Sequence, residues 1–131
     1  HKTGAAFSTG HIPHGCANAI YLPYVIRYNA KDPVAASRYA EIARRMGLEG
    51  KSEQALINSL CEKIDEFNVR LNIPKTLKEF GIQEDEFKEK VGKIAELAVG
   101  DACTGSNPRS IDPANMEKLF TCTYYGTEVD F

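Results

Sequence analysis

Helical periodicity in every long segment, cap and breaker residues at the joints, and no sustained alternation of apolar with polar residues predict an all-α domain. The expectation is at least five helices and no substantial sheet. No internal repeat of the length used by solenoids or propellers interrupts that reading.

The first element is expected over about Gly15 to Ala30, where Ala17, Ile20, Tyr21, Val25 and Tyr28 make a buried helix that Pro23 should kink. The next starts at Asp32 as N-cap with Pro33 in the first helical position. It carries Ala36, Tyr39, Ala40, Ala43 and Met46 on one face and stops at Gly47. "SEQALINSLCEKIDEFNVRLNI" sets Ala55, Leu56, Leu60, Ile64, Phe67 and Leu71 at helical spacing and ends before Pro74. A short turn, "TLKEFG", closes at Gly81. An amphipathic helix then follows through Phe87, Val91, Ile94 and Ala98, slightly weakened by Gly92. The loop "DACTGSNPRSI" leads to Asp112 and Pro113, which open a last helix through Met116, Leu119, Phe120 and Thr123 or Tyr124, with Gly126 as its exit.

Composition narrows the function classes. At 131 residues with 43% hydrophobic content, the chain can bury one modest core, so a single domain over 1–131 is expected. Sixteen basic and 18 acidic residues give a net charge of −2 with the signs interspersed, which disfavours a nucleic-acid partner. The longest apolar stretch, "CANAIYLPYVI", is broken by Asn18 and Pro23 and falls short of the roughly 18 residues of a membrane span. Cys16, Cys61, Cys103 and Cys122 form no CxxC pair and no disulfide framework, which fits reduced thiols in the cytoplasm. The chain opens on His1 without a signal-peptide pattern, so a fragment of a longer protein is expected.

Chemistry concentrates at the start. In "FSTGHIPHGCANAIYLPYVI", His11 and His14 flank Pro13, and Gly15 follows. A stiffened loop can hold a neutral imidazole nitrogen for a divalent metal. Two histidines three apart do not fill a site that wants three or four protein ligands, so spacing alone favours polar loop residues. By position, His1 is a terminal residue or a proton relay at a pocket mouth. "CTGSNPR" is a connecting loop or a pocket wall with Cys103 as a small lining side chain. The acids and bases of the two charged helices read as solvated faces, and Tyr21, Tyr24, Tyr28 and Tyr39 as core or half-core. No GxGxxG or GxxxxGK[ST] phosphate cradle is present.

The opening "HKTGAAF…HIPHGCANAI", with its HxxG and PHGxANA patterns, resembles the iron-dependent alcohol dehydrogenases. "GDACTGSNPR" and the closing "TYYG" look like the alcohol dehydrogenase half of the bifunctional aldehyde/alcohol dehydrogenases. The resemblance covers essentially the whole chain and implies the helical C-terminal domain, with the family's nucleotide-binding α/β domain absent. In that family a metal, usually Fe(II), sits between the two domains on one Asp and three His. His14 matches the last metal ligand, His1 a non-ligand histidine near the nicotinamide, and Cys103 a cleft-lining cysteine at the cofactor. His11 matches no ligand. The remaining ligands would lie upstream, so the chain alone is expected to be inactive. The spacing from His1 to His14 is longer than in the family, as though Ser8, Thr9 and Gly10 were inserted.

The implied activity is NAD(H)-dependent reduction of a short aldehyde, acetaldehyde by the bifunctional branch, with Fe(II) or Zn(II) as Lewis acid. His1 would relay the proton. A homo-oligomeric, fermentative, cytoplasmic enzyme is implied for the full-length protein. The competing reading from another class is a non-catalytic helical interaction module whose histidine pair is incidental. A dehydrogenase remnant should bring the His14 and Cys103 loops to one concave face, together with His1; an interaction module has no reason to.

Overall fold

Six α-helices and one 3₁₀ turn form among the described residues, and their ends lie where cap residues stand in the sequence. The structure is a computed structural model that describes residues 3–4, 6–8 and 11–131; His1 lies outside them. The helices are α1 (His14–Asn29), α2 (Pro33–Arg45), α3 (Glu53–Arg70), α4 (Leu77–Phe80), α5 (Glu84–Val99) and α6 (Pro113–Tyr125), and the 3₁₀ turn spans Thr104–Ser106. No strand occurs among the described residues, so the all-α expectation holds.

The caps are made by the side chains that predict them. Asp32, Ser52, Thr76 and Asp112 each accept a hydrogen bond from the backbone N–H three residues on, at 2.7–3.1 Å. Each such cap is worth about 1 kcal/mol. At the other ends, Asn72 takes a left-handed φ of 55° so that Ile73 N–H returns to the Asn68 carbonyl at 2.8 Å and closes α3.

The helices pack mainly as two pairs, α2 with α3 and α5 with α6, and α1 joins them, touching α2, α3 and α6. This double burial explains why α1 is apolar nearly all round. Ile20 belongs to a core with Phe87, Ile94 and Tyr124, whereas Ile26 belongs to a second core with Ala40, Ala43, Ile57 and Leu60. α1 runs unbroken through Pro23. Pro23 has no N–H to offer the Ala19 carbonyl, and the Asn68 side chain donates to that oxygen instead at 3.0 Å. The proline defect is repaired from α3.

The expected faces are corrected at three positions. Met46, Phe67 and Leu71 stand on the surface, and Ile57 and Cys61 are buried in their place. Met46 and Leu71 are the C-cap residues of α2 and α3, beyond the last turn that touches a neighbour. The buried stripe of α3 follows the line where α1 and α2 meet it, one residue around from the stripe that periodicity alone suggests.

Candidate functional site

The loop before α1 is set by what it buries. Ile12 is fully buried, and its N–H donates to the Gly4 carbonyl at 3.0 Å, which leaves His11 and His14 on either side of it exposed. Pro13, with φ fixed near −53°, precedes His14 in the first turn of α1. One turn on, the Asn18 side-chain amide lies 3.1 Å from His14 Nε2; turned with its oxygen toward the ring, it would accept from Nε2–H and leave the Nδ1 lone pair open to a metal. His11 makes no comparable contact with α1.

Asn18 also lines a cleft of about 530 Å³ whose other walls are the Cys103 loop and α6. The cleft floor is apolar and aromatic, with Tyr21, Val25 and Tyr28 from α1 facing Met116, Leu119 and Phe120 from α6. Tyr21 and Phe120 meet edge to face at 5.6 Å between ring centroids. Tyr21 and Tyr28, read from sequence as core or half-core, therefore serve as walls as well.

The loop holding Cys103 is fastened at many points. Cys103 N–H donates to Asp101 Oδ1 at 3.0 Å, and its carbonyl accepts from the Ser106 hydroxyl at 2.8 Å. The thiol itself stays exposed on the cleft rim. Asn107 and Asn29 exchange amide hydrogen bonds at 2.8 and 3.0 Å, and Asn107 Nδ2 also donates to the Arg109 carbonyl at 2.6 Å. Arg109 stacks 4.0 Å above the Tyr28 ring and donates to the carbonyls of Tyr28 and Phe131 at 3.0 and 2.8 Å. Asn29 is buried, so an unpaired amide there would be costly, and the reciprocal pair removes that cost. The "NPR" of the loop thus ties it to the C-terminal end of α1, while "CTGS" faces the opening.

The structure thus puts Cys103 and Asn18 on one cleft; His14 contacts Asn18 but is not among the residues that line it, His11 is on the loop surface, and the expected place of His1 lies outside the described residues. Among the described residues no group of three or more His, Cys, Asp or Glu side chains could hold a metal. Asn18, Thr3, Tyr21 and the Asn29–Asn107 pair are the site residues that sequence reasoning missed. Only Asn18 carried a readable signal, its spacing of one helical turn from His14.

Residues 1–124 match the C-terminal model of the Fe-containing alcohol dehydrogenase family. The chain belongs to that family. Among relatives of this alcohol dehydrogenase domain, the NADPH-dependent butanol dehydrogenase of Clostridium saccharobutylicum is 57% identical over 131 residues, covering 100% of this chain and 32% of the relative. The bifunctional aldehyde-alcohol dehydrogenase of Escherichia coli K12 is 39% identical over 143 residues, covering 98% of this chain and 16% of the relative. The chain therefore spans a third or less of these relatives. Among solved structures, a 1,3-propanediol oxidoreductase superposes with a TM-score of 0.80 at 28% identity, over 95% of this chain and 31% of the other.

Proposed function

We propose that this domain supplies one wall of the catalytic cleft of a metal-dependent, NAD(H)-linked alcohol dehydrogenase that reduces a short aldehyde, acetaldehyde or a homologue such as butyraldehyde, to its alcohol. The observation that carries the reading is that one cleft joins the rim residue Cys103 to Asn18, the partner of His14. An exposed imidazole in contact with a cleft-lining amide could supply one ligand of an Fe(II) or Zn(II) ion, and a site needs three or four. The rest would come from residues upstream of His1.

When bound, the metal supplies Lewis acidity toward the carbonyl oxygen and the dinucleotide supplies hydride. On this domain, His14 would hold the ion through one ring nitrogen while the Asn18 amide oxygen accepts from the N–H of the other. The Cys103 loop closes the wall beside the nicotinamide, and the aromatic floor excludes water. His1, with an imidazole suited to proton transfer near neutrality, passes the proton to the product oxygen. Four free cysteines fit a cytoplasmic setting, and the full-length enzyme is proposed to be a homo-oligomer.

The test is metal analysis of the full-length protein. Wild type should carry iron or zinc, His14→Ala should lose it together with turnover, and His11→Ala should keep both. A His14→Ala protein that retains metal and rate would overturn the assignment. This chain by itself should show no submicromolar metal binding in a calorimetric titration.

A further inference from the structure

A second pocket opens on another side of α1. At about 100° of turn per residue, Asn18, Tyr21, Val25 and Tyr28 share the side that faces the cleft, whereas Pro23 and Arg27 point away from it. This pocket, of about 320 Å³, lies between α1, α3, the turn before α4 and the chain after α6, and its lining includes Tyr24, Arg27, Asp65, Lys75 and Glu128. Two cations and two carboxylates therefore share one small space.

Among the described residues none of these four charges forms an ion pair. Arg27 is half-buried and gives one donor to the Pro23 carbonyl at 3.4 Å, which leaves most of its guanidinium N–H groups unused. Asp65 is also half-buried, on the facing side of α3. The two charges act on the same neighbours: burial raises the pKa of the Tyr24 phenol and the Cys61 thiol, and in both Asp65 adds to the rise while Arg27 opposes it. Half-buried charges left without counter-charges are costly. The walls that carry them are fastened, because the Tyr24 hydroxyl donates to the Lys75 carbonyl at 3.2 Å and the Cys61 thiol to the Pro23 carbonyl at 3.8 Å.

We propose that this pocket binds a small zwitterion, an amino acid whose carboxylate meets Arg27 and whose ammonium meets Asp65, with Lys75 and Glu128 at the rim. The balance of signs selects the occupant. Asp65 and Glu128 repel a phosphate or a nucleotide, and Arg27 and Lys75 repel a metal ion or a polyamine. A ligand of both signs satisfies both sets, and the planar guanidinium suits a carboxylate taken through two parallel hydrogen bonds. Pro23 and the Tyr24 ring offer an apolar wall to its carbon chain. Occupancy of this site does not depend on the dehydrogenase reading.

The test is calorimetric titration of the full-length protein with L-leucine, with 4-methylpentanoate, which lacks the ammonium, and with 3-methylbutylamine, which lacks the carboxylate. Leucine should bind with a Kd of about 1 mM or tighter, and each single-charge analogue about tenfold more weakly. Arg27→Gln should weaken leucine and 4-methylpentanoate about tenfold and leave the amine unchanged. Asp65→Asn should do the converse, weakening leucine and the amine only, and it carries the test by itself where Arg27→Gln fails to fold. Leucine that binds no better than its analogues overturns the site. So does leucine binding indifferent to both substitutions, or a substitution that weakens all three compounds alike, as damage to the fold would.

Discussion

Asn68 is the residue whose role is least visible in its own neighbourhood. It sits in the last turns of α3, buried, and its amide donates to the carbonyl that Pro23 leaves open in α1. Replacing it with Leu should cost about 1–3 kcal/mol, because a buried acceptor loses its partner. The double variant Asn68→Leu with Pro23→Ala should recover part of that loss, since the new N–H at 23 can reach the Ala19 carbonyl. Urea unfolding of the four proteins of this cycle reads the coupling, and strictly additive losses would count against the repair. Gly126 gives a second residue-scale expectation. Its φ is +74°, and a Cβ there would stand 3.0 Å from Thr76 Cγ2, so Gly126→Ala should destabilise by about 1–2 kcal/mol in the same assay.

Among the elements, the segment before α1 is tied to α5 in part through one carboxylate. Glu86 on α5 pairs with Lys90 at 2.6 Å and accepts from the backbone N–H and hydroxyl of Ser8 at 2.6 and 2.8 Å. The Lys90 hydrogen bond, followed by the Ser8 backbone, holds its pKa down to about 2 against an ordinary 4.5. A carboxyl depressed by folding contributes stability that is complete above 4.5 and fades as the pH falls toward 2. The segment should therefore be fully fastened at neutral pH. Amide exchange at Ser8 should rise through that acid window, and Glu86→Gln should raise it already at pH 7. Exchange at Ser8 that is indifferent to both changes would show that Phe7 and Ile12 alone hold the segment.

For the whole molecule, the division into three core clusters that all draw on α1 makes stability unequal across the fold. The cleft lies with α5 and α6, away from the α2–α3 pair, although Asn29 and Tyr39 make one long amide-to-hydroxyl contact of 3.4 Å between the sides. Leu60→Ala opens a cavity in the second core and should cost about 2–5 kcal/mol. Hydrogen exchange should accelerate mainly in 33–70, with residues 101–111 little changed. Equal acceleration in the cleft loop would mean that the core clusters open as one. No described helix is long and apolar enough to cross a membrane.

The sequence by itself determined the helices, their caps and the family, because these rest on local spacing: a cap needs only a side chain three residues from an N–H, and a motif only its own residues. It also marked out His14 and Cys103, whose roles as ligand and wall remain those proposed above. Tertiary structure alone decided what faces what. The repair of Pro23 by Asn68, the Asn29–Asn107 exchange and the meeting of Thr3 with Tyr21 join residues far apart in the chain, or on separate elements, through side-chain hydrogen bonds and shared burial. Periodicity assigns a residue to a face of its helix. Which face meets a neighbour, a cavity or water is fixed only when the helices pack, and this is why Phe67 reads as core yet is exposed while Tyr21 reads as core yet also lines a cleft.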